Sequence, residues 1–253
     1  MIENIFSYPF LVRIFDKLLS DNDKLNLFTV SKYLFKNRTK FKFYEFYSCN
    51  KKDSNKWYYD CLINIKIKEV FKFPKNLTHL SFDYSFNEPI DDLIKYSPDT
   101  LTHLIFGHDF NQKIDNLIPN SIVYLEFGWN FNRSLKTLIN LPLLSTLILS
   151  CHFNQSVRNC IPNSVRKIKF GSRFNISIKN CIPNFVESLK FGYRFDKSID
   201  DLPDSIIFLR LPRHYFDVVT KFPSNLKELK VSKQFIENNK NIISQTIVLQ
   251  ILN

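Results

Sequence analysis

Glycine is scarce in this chain, with 4 copies in 253 residues, and methionine occurs once. No stretch of about eighteen apolar residues is present, so the sequence offers no membrane-spanning helix and no membrane partner is expected. The opening MIENIFSYPFLVRIFDKLL carries Glu3, Arg13, Asp16 and Lys17 and does not read as a signal peptide. The cysteines, Cys49, Cys61, Cys151, Cys160 and Cys181, number 5 and contain no CxxC or other close zinc spacing. An odd count without a signal peptide points to reduced thiols in the cytosol or nucleus. P-loop, GxSxG, HExxH and EF-hand strings are all missing, which removes the common nucleotide, hydrolase and metal chemistries. The expectation is no cofactor, no metal, no catalytic residue and no enzyme.

Phenylalanine, in contrast, is abundant at 26 copies, and the net charge is +11. The charge is uneven. Residues 32–72 hold eleven Lys or Arg against four acids. A positive balance permits contact with nucleic acid or an acidic partner without fixing either.

The strongest signal is internal repetition. The segments IPNSIVYLEFGWNFNRSL, CIPNSVRKIKFGSRFNISI and CIPNFVESLKFGYRFDKSI share one pattern. Extended in both directions it gives units marked by Pro74, Pro98, Pro119, Pro142, Pro162, Pro183, Pro203 and Pro223. The spacing is roughly 20 to 24 residues, the range of leucine-rich repeats. Each unit holds an apolar triplet, such as Leu77/Leu80/Phe82 or Ile122/Leu125/Phe127. Its last two members are two apart and share one face of a strand. About eight short parallel strands, stacked about 4.8 Å apart, would span roughly 35 Å.

Every glycine follows the last strand residue of a unit: Gly107, Gly128, Gly171 and Gly192. That position needs either a positive φ or a close backbone approach. A second aromatic comes next, at Phe86, Phe110, Phe131, Phe153, Phe174, Phe195, Tyr215 or Phe216, and Phe235. We read these rings as a core stack, not as a platform for bases. The Asn after each of the first five is expected to bond backbone groups of a neighbouring turn.

Residues between the core positions alternate onto the opposite, concave face. One column contains His79, His103, Tyr124 and Lys167, and the next contains Lys169, Lys190 and Arg210. The position after the glycine adds Trp129, Tyr193 and Arg213. Early units are aromatic and later ones basic, and aromatic and Arg side chains commonly anchor interfaces. These ten residues are the expected partner-binding set. His79 and His103 are equivalent and read as strand positions rather than a metal pair. Cys160 and Cys181 read as buried reduced thiols.

The array, over Pro74 to about Phe235, resembles FNIP-repeat proteins, relatives of leucine-rich-repeat solenoids found in social amoebae and large DNA viruses of amoebae. The resemblance implies a scaffold without a catalytic residue set, placed in the host cytosol if the chain is viral. The N-terminal segment SYPFLVRIFDKLL, with SDNDKLNLFTVSKYLFKN behind it, shows helical spacing. Its order resembles an F-box, a module that docks on a Skp-type adaptor of a cullin ligase core. By position Pro9, Phe10, Leu11, Ile14, Phe15 and Leu18 would make that contact. The other reading is a helical cap over the open end of the array.

The expected architecture is therefore α/β: a leucine-rich-repeat-like solenoid of about eight short parallel strands behind an N-terminal helical F-box-like module. Residues 1–47 form that module, 48–73 a linker or N-terminal cap, and 74–253 the repeat array. The expected function is a protein-interaction adaptor, the substrate-recognition subunit of a cullin-type ubiquitin ligase with an unknown target. The alternatives are a scaffold without a ligase link and a basic nucleic-acid-binding repeat protein.

Overall fold

The computed structural model describes Ser20 and residues 47–49, 64–67 and 72–252. The F-box-like positions Pro9 to Leu18 and most of the basic stretch 32–72 lie outside the described residues.

Among the described residues, eleven strands form one sheet in sequence order, each parallel to its neighbours. All eight expected triplets carry one. They are β3 (His79–Phe82), β4 (His103–Ile105), β5 (Tyr124–Glu126), β6 (Thr146–Ile148), β7 (Lys167–Lys169), β8 (Ser188–Lys190), β9 (Phe208–Arg210) and β10 (Glu228–Val231). Three more extend the sheet: β1 (Tyr47–Cys49), β2 (Asn64–Ile67) and, after the last triplet, β11 (Val248–Ile251). β2 and most of β1 fall in the stretch read as linker or cap.

Strand alternation sorts the side chains as the triplets require. In β3, Leu80 and Phe82 are buried while His79 and Ser81 are half-buried on the other face. The last triplet residues, Phe82, Phe106 and Phe127, stack with centroids 5.1 and 5.3 Å apart. A second ladder runs beside them through Phe86, Phe110, Phe131, Phe153, Phe174, Phe195 and Tyr215. Within a coil the two ladders touch, as at Phe127–Phe131, 3.9 Å. All these rings are buried, so they form the core and offer no surface for bases. Of the two candidates in the seventh unit, Tyr215 joins the ladder and Phe216 is 45% exposed. The Tyr215 hydroxyl donates to the Lys197 carbonyl at 3.1 Å.

Turns close each unit. The N–H of the first triplet residue donates to the repeat proline's carbonyl, as in Leu101 to Pro98 at 3.0 Å and Val165 to Pro162 at 3.1 Å. In the fourth unit Leu141 takes the buried place and Pro142 is exposed. A 3-10 turn, Lys136–Asn140, precedes it. Asn116, Asn159 and Asn180 turn the chain with φ of 54 to 56°. Asparagine tolerates this left-handed region better than most residues. Among the described residues two short helices interrupt the coils, α1 (Leu93–Tyr96) and α2 (Lys233–Asn239). Ser232 caps α2 by accepting from the Phe235 N–H, and Phe235 is fully buried. No helix among the described residues is long and apolar enough to cross a membrane.

Candidate functional site

No glycine has a positive φ, so the alternative left by the sequence resolves to close approach. A Cβ on Gly171 would lie 1.6 Å from the Ser150 carbonyl oxygen of the preceding coil. Successive backbones are thus pressed together just past the strand ends. Ser150 itself stands at the glycine position, and the ladder step beside it, Phe131 to Phe153, is the longest at 6.4 Å.

The asparagines hold the same turns from outside. Asn87 Oδ1 accepts from the Asn111 N–H at 2.8 Å, Asn111 from Asn132 at 3.0 Å, and Asn132 from Asn154 at 3.0 Å. Asn154 accepts from Asn175 at 2.9 Å, and Asn175 from Asp196 at 3.1 Å. The chain of bonds is the one expected for this position.

On this fixed frame the open face of the sheet carries three columns. The first runs His79, His103, Tyr124, Thr146, Lys167, Ser188, Phe208 and Glu228 in strict strand register. The imidazoles of His79 and His103 stack at 4.0 Å, and Tyr124 follows at 5.4 Å. Thr78 and Thr102 hydroxyls bond the Nδ1 atoms of these histidines at 2.8 and 2.9 Å. Burial, helped by His103, lowers the His79 pKa, and burial lowers that of His103. The Tyr124 hydroxyl donates to the Glu126 carboxylate, and burial first, then this bond, raises its pKa.

The second column places Glu126, Ile148, Lys169, Lys190, Arg210 and Lys230 on successive strands. Ile148, only 9% exposed, marks the change from the aromatic to the basic half. Lys190 also lies over the Phe208 ring at 5.1 Å. The third column stacks Tyr84 on His108 at 4.3 Å and His108 on Trp129 at 5.8 Å, then continues to Tyr193 and Arg213. Tyr84, Trp129 and Tyr193 are half or more exposed.

Between the second and third columns lies an open groove of about 730 Å³. Of the ten residues expected to bind a partner, Trp129, Lys169, Lys190, Tyr193, Arg210 and Arg213 line it. His79, His103, Tyr124 and Lys167 share the face but not the groove. Sequence reasoning missed Cys151, which lines the groove, and His152, whose Nε2 lies 3.1 Å from Trp129 Nε1. The register of the fourth unit marks Cys151, which directly follows Ser150 at the glycine position.

Other candidates are structural. Cys160 and Cys181 are buried free thiols. Each Sγ lies 3.2 Å from a carbonyl, of Arg158 and Lys179 respectively. Burial raises both thiol pKa values, which disfavours the reactive thiolate. No group of three or more metal-ligating side chains gathers among the described residues.

A family model described as FNIP Repeat matches residues 69–109, 93–130, 110–152, 153–179 and 177–214. No curated protein matches the chain significantly. A solved crystal structure, of CroV588, a novel circular LRR protein, is similar at 25% sequence identity with a TM-score of 0.45. The similarity covers 77% of this chain and 40% of that one, so this chain spans less than half of that protein's length.

Proposed function

Because the chain belongs to the FNIP-repeat family, we propose that it is a non-enzymatic binding protein whose array holds a partner protein on the open face of its sheet. One observation carries this reading. Exposed aromatic and cationic side chains line up in register on the open face of the sheet, over a frame locked by backbone contact and asparagine bonds. A rigid surface loses little entropy when a partner docks. Tyr84, Trp129 and Tyr193 supply anchors of the type that dominates interface energetics. Cross-linking mass spectrometry of the tagged chain in its native cell tests the proposal. Partner cross-links should concentrate on the open face and fall when Trp129 and Tyr193 are changed to Ala. Cross-links confined to the opposite side of the coils would sink it.

The finer reading is a substrate-recruiting adaptor. The F-box-like order from Pro9 to Leu18 would hold a Skp-type adaptor and the cullin core, and the array would raise the target's local concentration. Support comes from the sequence resemblance. Changing Ile14 and Leu18 to Glu should abolish capture of the Skp-type adaptor while leaving the array folded. Intact protein that recovers no such adaptor would leave the scaffold reading standing alone. Cytosol or nucleus is the compartment this role requires. Nucleic acid fits less well, because the ring column is broken where it meets the basic region, with Cys151 and Ser172 between Trp129 and Tyr193.

A further inference from the structure

Among the described residues, no ion pair neutralises the cations on the open face. Lys169, Lys190, Arg210 and Lys230 occupy one register position on β7, β8, β9 and β10. At the strand spacing of about 4.8 Å the four span roughly 14 Å. Lys167 stands one column over on β7, and Arg213 lines the opposite wall of the groove. The ion pairs among the described residues are Lys95–Asp92, His108–Asp109, Arg166–Glu187 and Lys197–Asp196, and none includes these six cations. Partial burial, then Lys167, Arg210, Lys169 and Lys230, hold the Lys190 pKa below the ordinary lysine value. The neighbours thus repel one another, and a bound anionic chain would remove that repulsion.

We propose that the open face over β7 to β10, where Lys169, Lys190 and Arg210 line the groove and Lys230 continues their row beyond it, binds an extended acidic segment of a partner protein, its Asp and Glu carboxylates set along the row of cations. The inference rests on the partner-capture reading and names the partner's chemistry. The distribution of charge selects carboxylates. One phosphate gathers several donors at a single point, whereas these cations are spread evenly along a line. Alternate side chains of an extended peptide repeat about every 6.7 Å, so three acids cover the row. The intervening side chains face away from the row, towards Trp129, Tyr193 and the solvent. A nucleic-acid strand would want rings at successive steps, but Cys151 and Ser172 separate Trp129 from Tyr193 in the lining.

Fluorescence anisotropy with the full chain tests this. The probe is a fluorescein-labelled peptide of alternating Glu and Ser, about nine residues long. Its controls are the same peptide with Gln for Glu, a Ser peptide bearing one phosphoserine, and oligouridine. The Glu peptide should bind about tenfold tighter than the Gln peptide, and weaken as salt rises. Lys190→Gln with Arg210→Gln should cost about tenfold. Lys221→Gln with Lys227→Gln, at exposed positions outside the groove, should leave binding unchanged. Equal binding of Glu and Gln peptides, indifference to the groove substitutions, or tighter binding of the phosphopeptide or oligouridine would overturn the proposal. If the peptides fail while partner cross-links still map to the open face, the acidic chemistry falls and the partner-capture reading survives. If the cross-links map elsewhere, that reading falls.

Discussion

Asn132 joins three coils. Its N–H donates to Asn111 Oδ1, and its own Oδ1 accepts from the Asn154 N–H, both at 3.0 Å. Asn132→Ala removes the acceptor and leaves the Asn154 N–H to water, at a cost of about 1 kcal/mol. Asn132→Asp keeps an acceptor in place and should cost less than half as much. Urea unfolding midpoints check both, and equal losses would mean that the amide acts by packing alone. Gly171 is the harsher position. The Ser150 carbonyl stands where a methyl would go, at 1.6 Å, and that carbonyl belongs to backbone that cannot rotate away. Gly171→Ala should therefore destabilise the chain by about 2–3 kcal/mol, although it adds one carbon.

The ladders belong to the scale of elements, because each ring is shared between coils. Phe131 is fully buried and stacks on Phe110 at 6.0 Å, Phe153 at 6.4 Å and Phe127 at 3.9 Å. Phe131→Ala should cost about 3–5 kcal/mol in unfolding experiments, with hydrogen-exchange protection falling first in β5 and β6. These elements were legible in the sequence because one residue pattern returns at a fixed interval, and two-residue spacing assigns each side chain to a face. The columns of the candidate site followed from the same alternation. Helix α2 was not legible. Phe235 fits both another aromatic turn and a helix face, and only the Ser232 cap and Asn239 decide between them. Asn239 is 2% exposed; it accepts from the Val219 N–H at 2.8 Å and donates to the carbonyls of Asp217 and Phe235. Strands β1, β2 and β11 escaped because no Pro-to-Phe unit encloses them. The groove escaped because its depth depends on how closely coils approach, which a list of side chains does not contain.

Over the whole molecule, the groups that acid perturbs are divided along the array. His79 and His103 on β3 and β4 have lowered pKa values, through burial and, at His79, the neighbouring imidazole. His152, after β6, is lowered by burial, Arg173 and His108. A histidine with a lowered folded pKa binds fewer protons folded than unfolded. Stability must then fall as pH drops below the ordinary value near about 6.5, and the fall ends below the folded pKa. The later coils respond in a different window. Asp196 and Asp204 are lowered, the first by Lys197 and Asn175 and the second by Ser224. At Asp200 partial burial pushes the pKa up, but bonds from Thr220 and Ser198 outweigh it and the net shift is down. Such carboxylates stabilise the fold above their unfolded pKa of about 4, and that contribution is lost as pH falls through the folded values. Acidification should therefore loosen the two halves in sequence. Pulse-labelled hydrogen exchange after a step from neutral pH to about pH 5.5 should show protection falling over β3 to β6 while β8 to β10 hold. A step to about pH 3 should reach the later strands. His79→Gln with His103→Gln should remove most of the first response and leave the second untouched. Simultaneous loss along all strands in the first step would mean that the array opens as one cooperative block, with no separation between its aromatic and basic halves.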